Sequence, residues 1–108
     1  MSHKVIILDV AKPDFRQVRT YMKAQFGETV WEAVNLEFKA MLKDIGLNPD
    51  AGKQIDELVE LGQMNFRFRL VRQTKIVYES DAKEVLVHMF IQTKQDFRTH
   101  LMKRLFEA

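Results

Sequence analysis

The chain has no cysteine, which excludes disulfides, thiolate metal centres and thiol nucleophiles together. Glycine and proline are scarce, four and two in 108 residues. No phosphate loop of the form G-x-x-x-x-G-K-S/T or G-x-G-x-x-G is present, nor the G-x-S-x-G of serine hydrolases. Long apolar runs are missing as well. Val5-Ile6-Ile7-Leu8 ends at Asp9, too short for a signal peptide or a membrane span, so cytoplasmic residence away from membranes is the expectation. The three histidines, His3, His88 and His100, are too far apart for a compact ligand motif, and no metal or cofactor is expected.

What remains is the composition of an ordinary globular protein, 46% hydrophobic and 30% charged. A chain of this length is expected to be one domain, residues 1–108, burying roughly 65% of its unfolded surface. The net charge of +2 is unevenly placed. From Met64 onward there are nine Lys and Arg against five Asp and Glu, whereas residues 1–63 are net acidic. A basic balance permits nucleic-acid or acidic-protein partners without requiring them.

Periodicity gives the elements. His3 to Asp9 reads as a first strand whose continuous β-branched centre implies burial on both faces or a place near the middle of a sheet. Pro13 suits the first turn of a helix, and Phe15, Val18, Met22 and Phe26 form its apolar stripe up to a left-handed cap at Gly27. Thr29-Val30-Trp31-Glu32 has the form of a capping box for a second helix, with Trp31, Val34, Phe38, Met41, Leu42 and Ile45 inward and Gly46 as its stop. So short a link makes the two helices an antiparallel hairpin. Loop follows to Gly62, with one helical turn around Ile55 to Leu58. Three strands, Met64 to Val71, Lys75 to Glu79 and Glu84 to Gln92, are separated by hairpin-length connections and predict an antiparallel meander. Thr93, alone or with Asp96, caps a last helix carrying Phe97, Leu101 and Leu105. The expected fold is therefore α+β: an N-terminal strand, an antiparallel helical hairpin packed on an antiparallel β-sheet, and a C-terminal helix.

Within the first meander strand, Phe66, Phe68 and Leu70 alternate with Arg67 and Arg69. Alternation points the two sets to opposite faces. The expectation is that the helical hairpin covers one face, while the other, bearing both arginines, is partly open to phosphates or acidic side chains.

Several stretches, taken in order, resemble the RelE/ParE superfamily of type II toxins. Lys4-Val5-Ile6-Ile7-Leu8-Asp9 followed by Ala11-Lys12-Pro13-Asp14-Phe15 is similar to the family's opening strand and "Ala-x-x-Asp-Leu". Tyr21-Met22-Lys23-Ala24-Gln25-Phe26-Gly27 resembles the end of its first helix. Phe66-Arg67-Phe68-Arg69-Leu70, Lys75-Ile76-Val77-Tyr78-Glu79, and Val85 to Phe90 with Thr93-Lys94-Gln95-Asp96-Phe97 are similar to its three later strands and ending. Each motif is degenerate; their succession is more specific.

The resemblance implies one fold and two activities. ParE-like members bind DNA gyrase, trap it on cleaved DNA and need no catalytic site; RelE-like members are ribosome-dependent mRNA endoribonucleases. Either kind is neutralised by a cognate antitoxin. For the nuclease, the resemblance implies Arg67, Arg69, Lys75 and His88 as the catalytic set. For target or antitoxin binding it implies Arg67, Arg69, Arg72, Lys94, Asp96 and Phe97. Each has a plainer reading: a solvated strand face for the arginines, a half-buried core histidine for His88, and a helix N-terminal charge for Asp96. The chain departs from the nuclease pattern at two places. Gln95 stands where several RelE-like members carry Arg, and the last helix has no Tyr, while Phe97 can stack on a base but cannot move a proton. These departures favour the gyrase-binding kind.

Overall fold

Five strands and four helices form from these patterns in the computed structural model, which describes residues 2–93 and 95–106. In chain order they are β1 (Lys4–Ile7), α1 (Lys12–Phe26), α2 (Glu28–Leu47), β2 (Lys53–Gln54), α3 (Asp56–Val59), β3 (Phe66–Val71), β4 (Thr74–Ser80), β5 (Glu84–Gln92) and α4 (Phe97–Phe106). Short 3-10 turns cover Asp9–Ala11 and Pro49–Ala51. The fold is α+β and compact, with a radius of gyration of 13.7 Å.

The sheet is mixed, in the order β1-β5-β4-β3-β2. β3, β4 and β5 form the expected antiparallel meander, but β1 runs parallel to β5. No hairpin ties β1 to its neighbour; most of the chain lies between them, and so long a crossover allows parallel pairing. β1 is also an edge strand rather than a central one. Its apolar run is explained by one-sided cover, since Val5 and Ile7 pack into the core beneath α2. β2, only two residues long, was not foreseen.

Helices cover both faces. On one, Val34, Phe38 and Ile45 of α2 pack with Ile76, Tyr78, Val85, Val87 and Phe90 of the sheet. Phe15 of α1 is set edge-on to Trp31, Phe38 and Phe90 at centroid distances of 5.7, 5.2 and 5.1 Å, a geometry that the aromatic quadrupole favours. On the other face Ile55 and Leu58 from α3 and its approach, with Leu101 of α4, close over Phe66, Val77, Met89 and Ile91. The face opposite the helical hairpin is therefore covered by α3 and α4 rather than partly open, and it carries Phe66 and Phe68 instead of the arginines.

Three local signals are used differently from their first reading. Gly27 does end α1, with φ +87, but its ψ of 171 lies in an extended region open essentially to glycine alone, and it serves at once as the N-cap of α2. α2 thus starts at Glu28 and the Thr29 capping box is not formed. Gly46 does not stop α2, which runs on to Leu47. It permits close approach of the N-terminal segment: a Cβ there would lie 2.9 Å from Val5 Cγ2, and its carbonyl accepts the His3 N–H at 2.7 Å.

α4 is fastened at the exposed end of β5. β1 stops at Ile7, opposite Val87, so the edge of β5 continues without a strand partner. Asp14 of α1 accepts the Phe90 N–H at 3.2 Å, and Arg104 of α4 donates to the His88 carbonyl at 2.7 Å. The two side chains join in a bidentate pair of 2.8 and 2.9 Å. One ion pair thereby closes an open sheet edge and links α1, β5 and α4.

Candidate functional site

β3 supplies the residues that drew attention in the sequence, and its alternation holds: Phe66 and Phe68 turn to the α4 face, Arg67 and Arg69 to the other. The arginine face, however, is the one beneath α2. Arg67 donates to the Gly52 carbonyl at 2.9 Å, and Arg69 Nη2 pairs with Asp44 of α2 at 2.8 Å. Both side chains are half-buried. Arg69 Nη1 is buried and has no hydrogen-bond partner among the described residues. Between them stands Tyr78, fully buried, its hydroxyl donating to the Pro49 carbonyl at 2.7 Å. Burial raises the Tyr78 phenol above its ordinary range, although the charges of Arg69 and Arg67 oppose the shift. Gly52 must lack a side chain here, because a Cβ would overlap the Tyr78 hydroxyl. The cluster ties the segment after α2 to the sheet.

Arg72 extends this arrangement along the strand. It occupies the β3–β4 turn with φ 52, a left-handed conformation more usual for Gly or Asn. Its guanidinium makes three hydrogen bonds to Glu37, of 2.8 to 3.3 Å. Arg72 holds the Glu37 carboxyl below its ordinary range, chiefly through these bonds. Glu37 and Asp44 are seven residues apart, hence on one side of α2, and they meet Arg72 and Arg69 in turn.

The other named residues lie across the sheet. Lys75 Nζ sits 4.0 Å from the centroid of Phe97 and 4.7 Å from that of Phe68, a cation held between two rings. His88 Nε2 is 2.9 Å from Glu79 Oε1, with the Phe66 ring centroid 5.1 Å away. A β-bulge decides where His88 points. Val77 pairs with Met89 but Tyr78 with Val87, which leaves His88 as the extra residue. Simple alternation would put His88 on the same face as Phe90; after the bulge Phe90 belongs to the α1–α2 core, while His88 and Met89 share the α4 face.

Asp96 caps α4, accepting the Thr99 N–H at 3.2 Å and the Thr99 hydroxyl at 2.8 Å, bonds that lower its carboxyl. Lys94 lies outside the described residues. Among the described residues no group of three or more His, Cys, Asp or Glu could hold a metal ion, and no helix is long and apolar enough to cross a membrane.

The named residues therefore divide into two sets with the sheet between them. Arg67 and Arg69 stand on one face, Lys75 and His88 on the other, so in this arrangement the four cannot converge on a single phosphate. No protein-family model matches the chain, and no curated protein matches it. Sequence reading missed the partners Asp44, Glu37, Glu79, Asp14 and Arg104. The seven-residue spacing of Glu37 and Asp44 was a usable signal. Asp14 and Arg104 are 90 residues apart, and nothing in the sequence joins them.

Proposed function

We propose that the chain is the toxin component of a type II toxin–antitoxin pair, of the ParE-like kind that inhibits DNA gyrase by binding and is neutralised by a cognate antitoxin. The carrying observation is the division of the basic and titratable residues. A nuclease needs its phosphate-binding and proton-transferring groups around one bond, whereas Arg67 and Arg69 are engaged with Gly52 and Asp44 beneath α2, and Lys75 is held between Phe68 and Phe97. A binding protein needs no such convergence. The order strand, two helices, antiparallel meander and helix also agrees with the expectation from the motif succession.

One feature favours the RelE-like ribonuclease as a second reading. His88 and Glu79 form a half-buried pair on the α4 face, an arrangement able to orient an imidazole for proton transfer. Induction of the protein in growing bacteria, with gyrase-trapped DNA breaks and cleavage of translated messages read in parallel, separates the two. DNA breaks with intact messages are expected. Ribosome-dependent message cuts without DNA damage, abolished by His88→Ala, would overturn the gyrase reading.

A further inference from the structure

One strongly charged face of α1 takes no part in the packing of the fold. Lys12, Arg16, Arg19 and Lys23 follow one another at spacings of four, three and four, which stacks them on one side of the helix, and all four are exposed. The single carboxylate of α1, Asp14, does not neutralise them. It is taken up by Arg104 and the Phe90 N–H against the sheet. Lys12 pairs with Asp9 and Lys23 with Glu28, at the two ends of the stripe, and both pairs are exposed enough for another anion to replace the carboxylate. Arg16 and Arg19, at its centre, make no hydrogen bond or ion pair among the described residues. Arg16 also borders a shallow hollow of about 480 Å³, lined by Pro13, Gln17, Thr20 and Tyr21.

Positive charge calls for an anionic partner, and the rest of the face narrows which kind. A helix that binds a membrane surface inserts its apolar side, but Phe15, Val18 and Met22 of α1 are committed to the core. Protein interfaces turn on buried aromatic or aliphatic anchors. No large hydrophobic residue is exposed between Lys12 and Lys23; Val10 and Phe26 lie beyond the two ends. Single strands are held by stacking bases on aromatic rings, and the nearest ring, Tyr21, is half-buried and set edge-on to Phe26. What the face offers is Arg, Lys, Gln and Thr, side chains that hold phosphates without reading bases. The stripe is straight and roughly 16 Å long, at about 1.5 Å per residue. Over that length one strand of a duplex presents about five phosphates, at about one per 3.4 Å.

We propose that the outer face of α1 docks on the phosphate backbone of a nucleic-acid duplex, without sequence preference, through Arg16 and Arg19 with Lys12 and Lys23 flanking them. The proposal does not rest on the toxin reading. Fluorescence anisotropy over a salt series, with a short labelled DNA duplex and an RNA duplex of the same sequence, measures it. Saturable binding to either supports the proposal, and the tighter of the two names the backbone. Four phosphate contacts predict a slope of log K against log salt of about −3.6 on DNA. Arg16→Gln with Arg19→Gln should weaken binding about tenfold and reduce that slope by about 2. Arg16→Lys with Arg19→Lys, which keeps both charges, should retain the slope. Lys39→Gln with Lys43→Gln removes the same charge from exposed positions of α2 and should also retain it. Far-UV circular dichroism checks that each variant is folded. No saturable duplex binding at low salt, or an equal loss in the Lys39 and Lys43 variant, would overturn the proposal. So would tighter binding to the single strand, to phosphatidylserine vesicles or to polyglutamate.

Discussion

Removing Arg104 tests whether one ion pair really closes the edge of β5. In Arg104→Met the side-chain stem is kept while Asp14 loses its bidentate partner and the His88 carbonyl its donor. Breaking a fully buried pair costs about 3–5 kcal/mol, an exposed one about 0–1 kcal/mol. With side-chain exposures of 25% and 16% this pair falls between, and a loss of about 2 kcal/mol is expected, or roughly 8 °C in Tm for a domain of this size. Urea unfolding followed by Trp31 fluorescence measures it, because Trp31 is buried in the α1–α2 core. Asp14→Leu should cost more, about 3 kcal/mol, since it strands both the Arg104 cation and the Phe90 N–H. A double-mutant cycle should return a coupling of about 1–2 kcal/mol. The Phe90 amide, protected by Asp14, should exchange faster in Asp14→Leu than the ladder amides of β4. A loss below about 0.5 kcal/mol in Arg104→Met, or an unchanged Phe90 exchange rate in Asp14→Leu, would refute the edge-closing role.

Gly52→Ala should destabilise by about 2 kcal/mol, because the new methyl overlaps the Tyr78 hydroxyl and forces it from Pro49; thermal melts of Gly52→Ala alone and combined with Tyr78→Phe check this, the second change relieving part of the loss. Asp96→Ala should loosen α4, and the effect depends on pH. The Asp96 carboxyl is lowered below 3.8 by its bonds to Thr99, so its stabilisation is present above that value and lost as pH falls through the lower folded value. The difference in Tm between wild type and Asp96→Ala should thus shrink in that acid window; a difference that grows with acid would contradict the cap. Lys75→Met should cost about 1 kcal/mol through loss of the cation–ring contacts and shift the Phe97 ring resonances; unchanged resonances would mean that the ammonium does not sit there.

Most strand and helix positions were legible because they depend on local periodicity. Glu84 to Gln92 was read with its observed bounds, and the stripes of α1 and α2 fell where Phe15, Val18, Val34 and Phe38 are inward. Alternation also separated Phe66 and Phe68 from Arg67 and Arg69 correctly. What the sequence could not say is which face lies beneath which helices. Alternation is symmetrical between faces, and the choice is made by pairs distant in sequence, Arg69 with Asp44 and Phe68 with Phe97. Alternation alone would also misplace His88 relative to Phe90, for a different reason. A bulge inserts one residue without any glycine or proline to announce it, and every later residue on the strand changes sides. Parallel β1 was missed because direction between distant strands leaves no trace in their own composition.

The three arginines of β3 and its turn differ in how freely they could meet a partner, and the order follows from what each would give up. Arg67 is bound to a backbone carbonyl beside buried Tyr78. Reaching outward would leave the Gly52 carbonyl unpaired and disturb the segment that packs there. Arg69 would abandon Asp44 while its other terminal nitrogen is already buried. Arg72 alone has an exposed side chain, and its Glu37 partner is exposed as well, where water and salt can replace the carboxylate readily. An acidic segment arriving at this edge would therefore meet Arg72 first and could exchange with Glu37 without unfolding anything. Arg67 and Arg69 would come within reach only if the contacts of α2 and the Pro49–Ala51 turn with β3 opened. Positive charge read from the sequence as one surface is in the fold a graded series, from an exchangeable turn residue to an arginine that holds the core's margin in place.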